Sequence, residues 1–341
     1  MLPTKEQIEE WDKDPTNIKI FDYNEELPLF VIGAGASIEF GYPSGEKLKE
    51  QIKEILDPNS EEFKKINLYS LCNKELEKQK FINTCEMIRK TIDSRFTIDD
   101  CIKFHKGNKD IEFVIKLAIV KLIADLRYNE KSLFKSKNEL RIKDSWLSSF
   151  FNLTTKRLRD QEIEARLCRI PMITFNYDRN IEKYINYIYN QMFERNTEFS
   201  KEIHHMYGSL PKESDFVKEN ENLINWSKNI KTYTELEDKR INVRDCDHRV
   251  YKIKSIIFLG FGYDDINMKL LAQSMNREIE KKIFGTIYNS DEDLKETDED
   301  LKENIINKLS IIFNAEKNNI HLYNTTCKKF FNKFSSIEDF L

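Results

Sequence analysis

The sequence predicts an α/β fold, a Rossmann-like and mostly parallel sheet flanked by helices, with a large α-helical insertion. Three observations predict it. Short apolar, β-branched runs alternate with segments of helical period. Two of those runs, at 29–32 and 254–259, pass straight into glycine-rich turns. The segments richest in chemistry, 33–37, 176–178, 207–209 and 260–265, each follow a predicted strand, where open parallel sheets bind ligands.

The bulk numbers set limits. A chain of 341 residues with 40% hydrophobic content can bury a sizeable core, and its 23 Phe and 14 Tyr supply packing rings. A formal charge of -4 and a pI near 5.9 give no general attraction to nucleic acid or anionic membrane. No apolar run approaches the ~18 residues of a membrane span. The opening MLPTKEQIEEWDKD lacks the basic-then-apolar pattern of a secretion signal, so a cytoplasmic protein is expected. Cysteines stand at 72, 85, 101, 168, 246 and 327 with no CxxC pair, which argues against a structural zinc site or a disulfide scaffold and leaves no metal expected.

The elements follow in order. Residues 1–26 form a polar, acidic lead-in. LFVI at 29–32 reads as a buried parallel strand, ended by the turn Gly-Ala-Gly-Ala-Ser at 33–37. Ser44 suits the N-cap of a helix from about 46 to 56, which Asp57-Pro58-Asn59-Ser60 stops. Residues 61–165 read as mostly helical: Ile111, Val114, Ile115, Ala118, Leu122 and Leu126 recur at helical spacing, and Trp146, Phe150 and Phe151 mark another packed segment. About 100 helical residues exceed an ordinary crossover, so 57–165 is expected as an inserted subdomain in a core formed by 1–56 and 166–341. A strand at 171–175, a helix at 181–193 and a short strand at 203–207 follow. Residues 211–250 are polar and poorly periodic, expected as a second, looser insertion. Strands at 254–259, 283–287 and 319–323, a helix from 265 to about 275 and another around 300–309 complete the pattern. The acidic run at 291–301 reads as a solvated face.

The turn after the first strand carries the clearest chemistry. Gly33 and Gly35 let the backbone turn tightly and let a pyrophosphate approach its N–H groups, and Ser37 offers a hydroxyl. The spacing is neither GxGxxG nor a Walker A loop. A second turn, Gly41-Tyr42-Pro43-Ser44-Gly45, is rigid enough to wall a ligand pocket.

Taken in order, GAGAS with GYPSG, then TFNYD, HHMYGSL and LGFGYDD resemble the Sir2-like family, in particular the zinc-free bacterial Sir2-like domains of antiphage defence systems. The resemblance frames residues 27 to about 290. It implies a Rossmann-like sheet that binds NAD across its strand ends. Gly33, Ala34, Gly35 and Ser37 would hold the pyrophosphate, with Pro43 and Ser44 nearby. Asn176 would position the ribose hydroxyls and the attacking water, and Asp178 would order the nicotinamide side. Gly208 and Ser209 would border the site, Gly260 and Gly262 would lie near the adenosine half, and Asp264 would touch a ribose or cap the next helix. Asp178 equally suits an N-cap. The four-cysteine zinc module of the deacetylases is missing, which argues against peptide deacylation.

One position departs from the family pattern. A histidine usually precedes the glycine of the HG pair and acts as general base; here Tyr207 stands before Gly208. A tyrosine with an ordinary pKa near 10 is a poor base at neutral pH. Strand alternation puts His205 on the same face as Tyr207, about 6–7 Å back, and His204 on the other.

The expected function is an NAD+ glycohydrolase that releases nicotinamide and ADP-ribose as a regulated effector of antiphage defence. Asn176, Tyr207, His205 and Asp178 are its candidate catalytic residues. Such an enzyme needs restraint, so a homo-oligomer or a partner defence protein is expected, with the insertions as docking surfaces. Tyr207 keeps open an alternative, a silent NAD- or nucleotide-binding subunit. Protein deacylation or ADP-ribosyl transfer would need an acceptor groove that the sequence does not indicate. A dehydrogenase would need an acidic residue at the end of a second strand in an uninterrupted βαβ unit.

Overall fold

The computed structural model of the chain describes residues 26–72, 76–95, 97–128, 143–193, 203–211, 219–238, 248–287 and 297–341. Most of the N-terminal lead-in, Cys246 and most of the acidic run at 291–301 lie outside them.

Six strands form one sheet: β1 (Leu29–Ile32), β2 (Met172–Thr174), β3 (His204–His205), β4 (Ser255–Leu259), β5 (Lys282–Ile287) and β6 (Ile320–Asn324). Their spatial order is 3-2-1-4-5-6, and every pairing is parallel. Strand order therefore reverses between β1 and β4. At such a switch point the connections leave in opposite directions and open a crevice beyond the strand ends.

Both faces of the sheet are covered, which explains the unbroken apolar runs of β1 and β4. Phe30 and Ile32 face one core together with the helices α1 (Gly45–Ile55), α2 (Lys78–Ile92), α3 (Ile98–Phe104), α4 (Lys109–Tyr128), α5 (Trp146–Thr155), α6 (Asp160–Arg169), α7 (Asn180–Phe193) and α8 (Glu219–Asn229). Leu29 and Val31 face a second core with α9 (Tyr233–Asp238), α10 (Asp265–Ala272) and α11 (Thr297–Phe313), while α12 (Cys327–Phe331) closes over the first. Phe30 is fully buried with its ring 5.0 Å from that of Phe150. Its burial stabilises the fold by roughly 2–3 kcal/mol.

Local chemistry explains the boundaries. Ser44 accepts a hydrogen bond from Lys47 N–H at 3.2 Å and so starts α1. Asp264 starts α10 by accepting from the N–H groups of Ile266 and Asn267 at 2.9 and 3.2 Å. The long helical segment between β1 and β2 shares a continuous apolar core with the sheet. It also reaches back to the first turn, where Trp146 Nε1–H donates to the Ala36 carbonyl oxygen at 2.7 Å.

Two elements differ from expectation. The strand expected over 203–207 covers His204–His205: Met206 N–H still bonds the Thr174 carbonyl oxygen at 2.9 Å, and the bond from Gly208 N–H to the His205 carbonyl oxygen at 3.1 Å then turns the chain away at Tyr207. The region 211–250, expected as irregular, contains α8 and α9. Leu223, Trp226 and Ile230 recur along one side and are buried, a short stripe embedded in polar sequence.

Candidate functional site

The glycines after β1 and β4 lie against each other at the switch point. Gly33 N–H donates to the Leu259 carbonyl oxygen, and Gly35 N–H to that of Gly260, both at 2.9 Å. Gly260 has φ +56°, and a Cβ there would stand 2.1 Å from the Ala36 nitrogen. A Cβ on Gly33 would stand 2.5 Å from the Gly260 oxygen. Only glycine permits this approach. The amides of Gly33 and Gly35, expected to meet a pyrophosphate, are engaged in holding the two turns together. Ala34 opens a seven-residue 3-10 helix, Ala34–Phe40, and is half-buried. Its N–H belongs to a first helical turn, whose amides have no acceptor within the helix.

Beside this contact, the end of β2 meets the same turn. Ser37 Oγ–H donates to Asp178 Oδ2 at 2.7 Å. Asn176 Nδ2 donates to the Gly33 carbonyl oxygen and to Ser37 Oγ, both at 3.0 Å. All three side chains are buried. Asp178 Oδ1 also accepts from Asn180 N–H at 3.1 Å, so Asp178 acts both as an N-terminal cap of α7 and as part of this network. Burial pushes the Asp178 carboxyl above its usual range, with the Ser37 and Asn180 bonds opposing. Both Asn176 Nδ2 hydrogens are engaged, whereas its Oδ1 is buried with no hydrogen-bond partner among the described residues. A buried acceptor without a partner costs about 1–3 kcal/mol, which a donor supplied by a ligand would offset.

His205 and Tyr207 do not share a face. His205 turns toward α7: its Nδ1 lies 3.0 Å from the Asn176 carbonyl oxygen and its Nε2 lies 3.0 Å from Glu182 Oε1. Two oxygen acceptors flank the ring, and donating to both takes a proton on each nitrogen. Glu182 Oε1 also accepts from Arg179 Nε at 2.9 Å. Burial disfavours the Glu182 carboxylate, but the His205 bond and charge with Arg179 outweigh it and hold the carboxyl below its usual range. His205 thus braces the backbone that carries Asn176.

Tyr207 lies on the other side, buried against Phe175, with ring centroids 5.7 Å apart. Its hydroxyl donates to Asn267 Oδ1. Burial, then the carboxylate of Asp99, push its pKa well above the ordinary value. The expectation that alternation would align His205 and Tyr207 fails because the strand ends between them.

The other candidates are spread around this centre. Ser44 caps α1, with Pro43 beside it, and both are half-buried. Gly208 has φ +75°, and a Cβ there would stand 2.0 Å from the Asn229 carbonyl oxygen, so α8 lies directly against the turn after β3. Ser209 is half-buried, Gly262 is exposed, and Asp264 caps α10. Sequence reasoning missed Asp99, Arg179, Asn180, Glu182 and Asn267. Arg179 and Glu182 carried a usable signal, since they sit one and four positions after TFNYD, at the start of α7. Asp99 carried none, because it lies far away in the helical segment.

The fold and site define a class, a parallel α/β protein with its polar centre at the switch point of the sheet. A family model described as a SIR2-like domain matches residues 171–312. The match spans β2 to β5 and takes in TFNYD, HHMYGSL and LGFGYDD; the first turn joins it through the pairing of β1 with β2 and β4. Domains of this family bind NAD, which ties the chain to NAD-related function in general. No curated protein matches the chain. Among the described residues no group of three or more His, Cys, Asp or Glu is arranged to hold a metal ion, and no helix is long and apolar enough to cross a membrane.

Proposed function

We propose that the chain is an NAD+ glycohydrolase that cleaves the nicotinamide–ribose bond, working as a regulated effector of bacterial antiphage defence. The observation that carries the chemistry is Asn176. Its amide nitrogen is held by Gly33 and Ser37, and its oxygen is buried and unpartnered among the described residues. An acceptor fixed in that way suits a ribose hydroxyl or the attacking water as C1′ develops positive charge. Nicotinamide leaves as a neutral ring, so the demand for acid catalysis is small. The turn at 33–37 would lie under the pyrophosphate, with Ala34 N–H and the engaged Ser37 as its polar groups. The defence role and its restraint by a partner or by self-association rest on the resemblance to zinc-free bacterial Sir2-like domains.

The test is nicotinamide release from NAD+ by the purified chain, read by chromatography, beside Asn176→Ala and Tyr207→His. Release that disappears in Asn176→Ala supports the proposal. Tyr207 favours a second reading, a binding subunit without turnover, because its buried hydroxyl is engaged by Asn267 and cannot serve as a base. NAD binding by calorimetry with no release from any of the three proteins would select that reading.

A further inference from the structure

Two buried polar atoms just after β2 have no hydrogen-bond partner among the described residues: Asn176 Oδ1, an acceptor, and Asn180 Nδ2, a donor. The first carries the function proposed above; the second has no part in it. Asn180 opens α7 and is only 4% exposed. Its backbone N–H donates to Asp178 Oδ1 at 3.1 Å. Asp178 Oδ2 takes the Ser37 hydroxyl at 2.7 Å, and Ser37 Oγ takes Asn176 Nδ2 at 3.0 Å. An unbroken run of hydrogen bonds thus joins Asn180 to Asn176. The Cα–Cβ bonds of a helix lean toward its N-terminus. The side chain of Asn180, in the first turn of α7, therefore leaves the backbone toward the end that carries Asp178.

The polar groups around this donor are engaged elsewhere. Both oxygens of Asp178 accept, one from Ser37 and one from the Asn180 amide. Glu182 Oε1 accepts from Arg179 and is paired with His205, whose Nδ1 faces the Asn176 carbonyl oxygen. A buried donor left alone costs about 1–3 kcal/mol, and an apolar side chain would fill the same place without that cost. An acceptor and a donor left open on one buried network are the complement of a ligand that both donates and accepts. The N-terminus of α7 directs partial positive charge at an incoming oxygen. The Asp178 carboxyl, bonded to the Asn180 amide, disfavours a phosphate there. An uncharged oxygen fits, and the nicotinamide riboside half of NAD+ carries two kinds, the carboxamide oxygen and the ribose hydroxyls.

We propose that Asn180 is a substrate-binding residue whose Nδ2 donates to an uncharged oxygen of the nicotinamide riboside half of NAD+, an assignment that rests on the reading above that Asn176 serves C1′. Asn176 takes a donor and Asn180 an acceptor from the same half of the substrate. The ring and its ribose are then held at two points before the C1′–N bond breaks, and Asp178 fixes the backbone of the second point.

The test is calorimetry of the full chain with NAD+ and, separately, with ADP-ribose, which lacks the nicotinamide, for the wild type, Asn180→Ala and Asn180→Ser. Thermal melting without ligand and nicotinamide release from NAD+ are measured on the same proteins. Asn180→Ala should raise the Kd for NAD+ by about 10-fold and melt within a few degrees of wild type, because the bond it removes is one that the free protein does not make. Asn180→Ser, which keeps a shorter donor, should recover part of the affinity. An unchanged Kd for ADP-ribose in Asn180→Ala assigns the contact to the carboxamide oxygen; a parallel rise assigns it to a ribose hydroxyl. Wild-type affinity for both ligands in Asn180→Ala overturns the proposal and leaves the glycohydrolase reading standing, provided the wild type releases nicotinamide. An equal drop in ligand-free melting temperature in both variants means that Asn180 bonds within the protein and overturns it too. A wild type that binds neither ligand overturns both.

Discussion

The side-chain amide of Asn176 donates to Ser37 Oγ at 3.0 Å, joining the end of β2 to the turn after β1. Ser37 passes the contact on to Asp178, so one hydroxyl links the two polar groups after β2. Replacing Ser37 with Ala removes a donor from a buried carboxylate and an acceptor from a buried amide. The expected cost is about 2–4 kcal/mol, two unsatisfied groups at ~1–3 kcal/mol each with partial relaxation. Thermal or urea denaturation at pH 7 measures it, and NAD affinity should fall in the same variant.

The acids of the site predict opposite responses to pH. Glu182 has its folded pKa depressed, so the stability it contributes is present above the ordinary carboxylate range and is lost as pH falls through the folded value. Asp178 has its folded pKa raised, so the folded state is favoured while Asp178 is protonated, and that advantage is lost as pH rises through the raised value. Urea denaturation from pH 3 to 8 should show Glu182→Gln flattening the acid-side loss and Asp178→Asn flattening the decline above it. A Glu182→Gln protein that keeps the wild-type acid slope would exclude the His205–Glu182 pair as its source.

The contact of Gly260 with Gly35 leaves no room for a side chain. Gly260→Ala puts a methyl group into the backbone of Ala36 and holds a non-glycine residue at positive φ. A loss of about 4 kcal/mol or more is expected, in the range reserved for core disruption. Gly262, two residues on, has nothing within 4 Å of an added Cβ. Gly262→Ala is the matched control and should melt within a few degrees of wild type.

His205 bears on function through the Asn176 backbone. His205→Phe keeps the ring volume and removes both hydrogen bonds. If NAD is cleaved at Asn176, kcat should fall by about 10- to 100-fold, the scale of a modestly misplaced reacting group, with a smaller change in KM. Steady-state kinetics separates the two. A matching loss of NAD affinity in calorimetry would mean that His205 supports binding rather than the reacting geometry.

Trp146 tests how the helical segment is tied to the site. It is buried, and its indole N–H reaches the Ala36 carbonyl oxygen inside the first turn. Trp146→Phe keeps most of the apolar contact and drops that bond. A cost of about 1–3 kcal/mol is expected from the buried carbonyl left behind, and denaturation midpoints compared with Trp226→Phe, a site in the same core, measure it.

Much of this molecule was legible in the order of its residues. The apolar runs marked β1 and β4, Ser44 and Asp264 announced their helices, and the small residues at 33–37 marked a place of close approach. The chain by itself determined which segments would be strands and helices and which would hold chemistry, because periodicity and capping are local properties. It did not determine what lies beside what. Gly35 was readable as an atom-sparing position, but that its amide meets the Gly260 carbonyl oxygen depends on β1 lying next to β4. His205 and Tyr207 part because a turn bond between Gly208 and His205 ends the strand, and alternation holds only while the ladder lasts. Ser37, Asn176 and Asp178 come together only because β1 lies next to β2. Hydrophobic patterning specifies that a face is buried, not which partner buries it; the partner is chosen when the whole sheet and its helices pack at once, and that choice belongs to the tertiary structure alone.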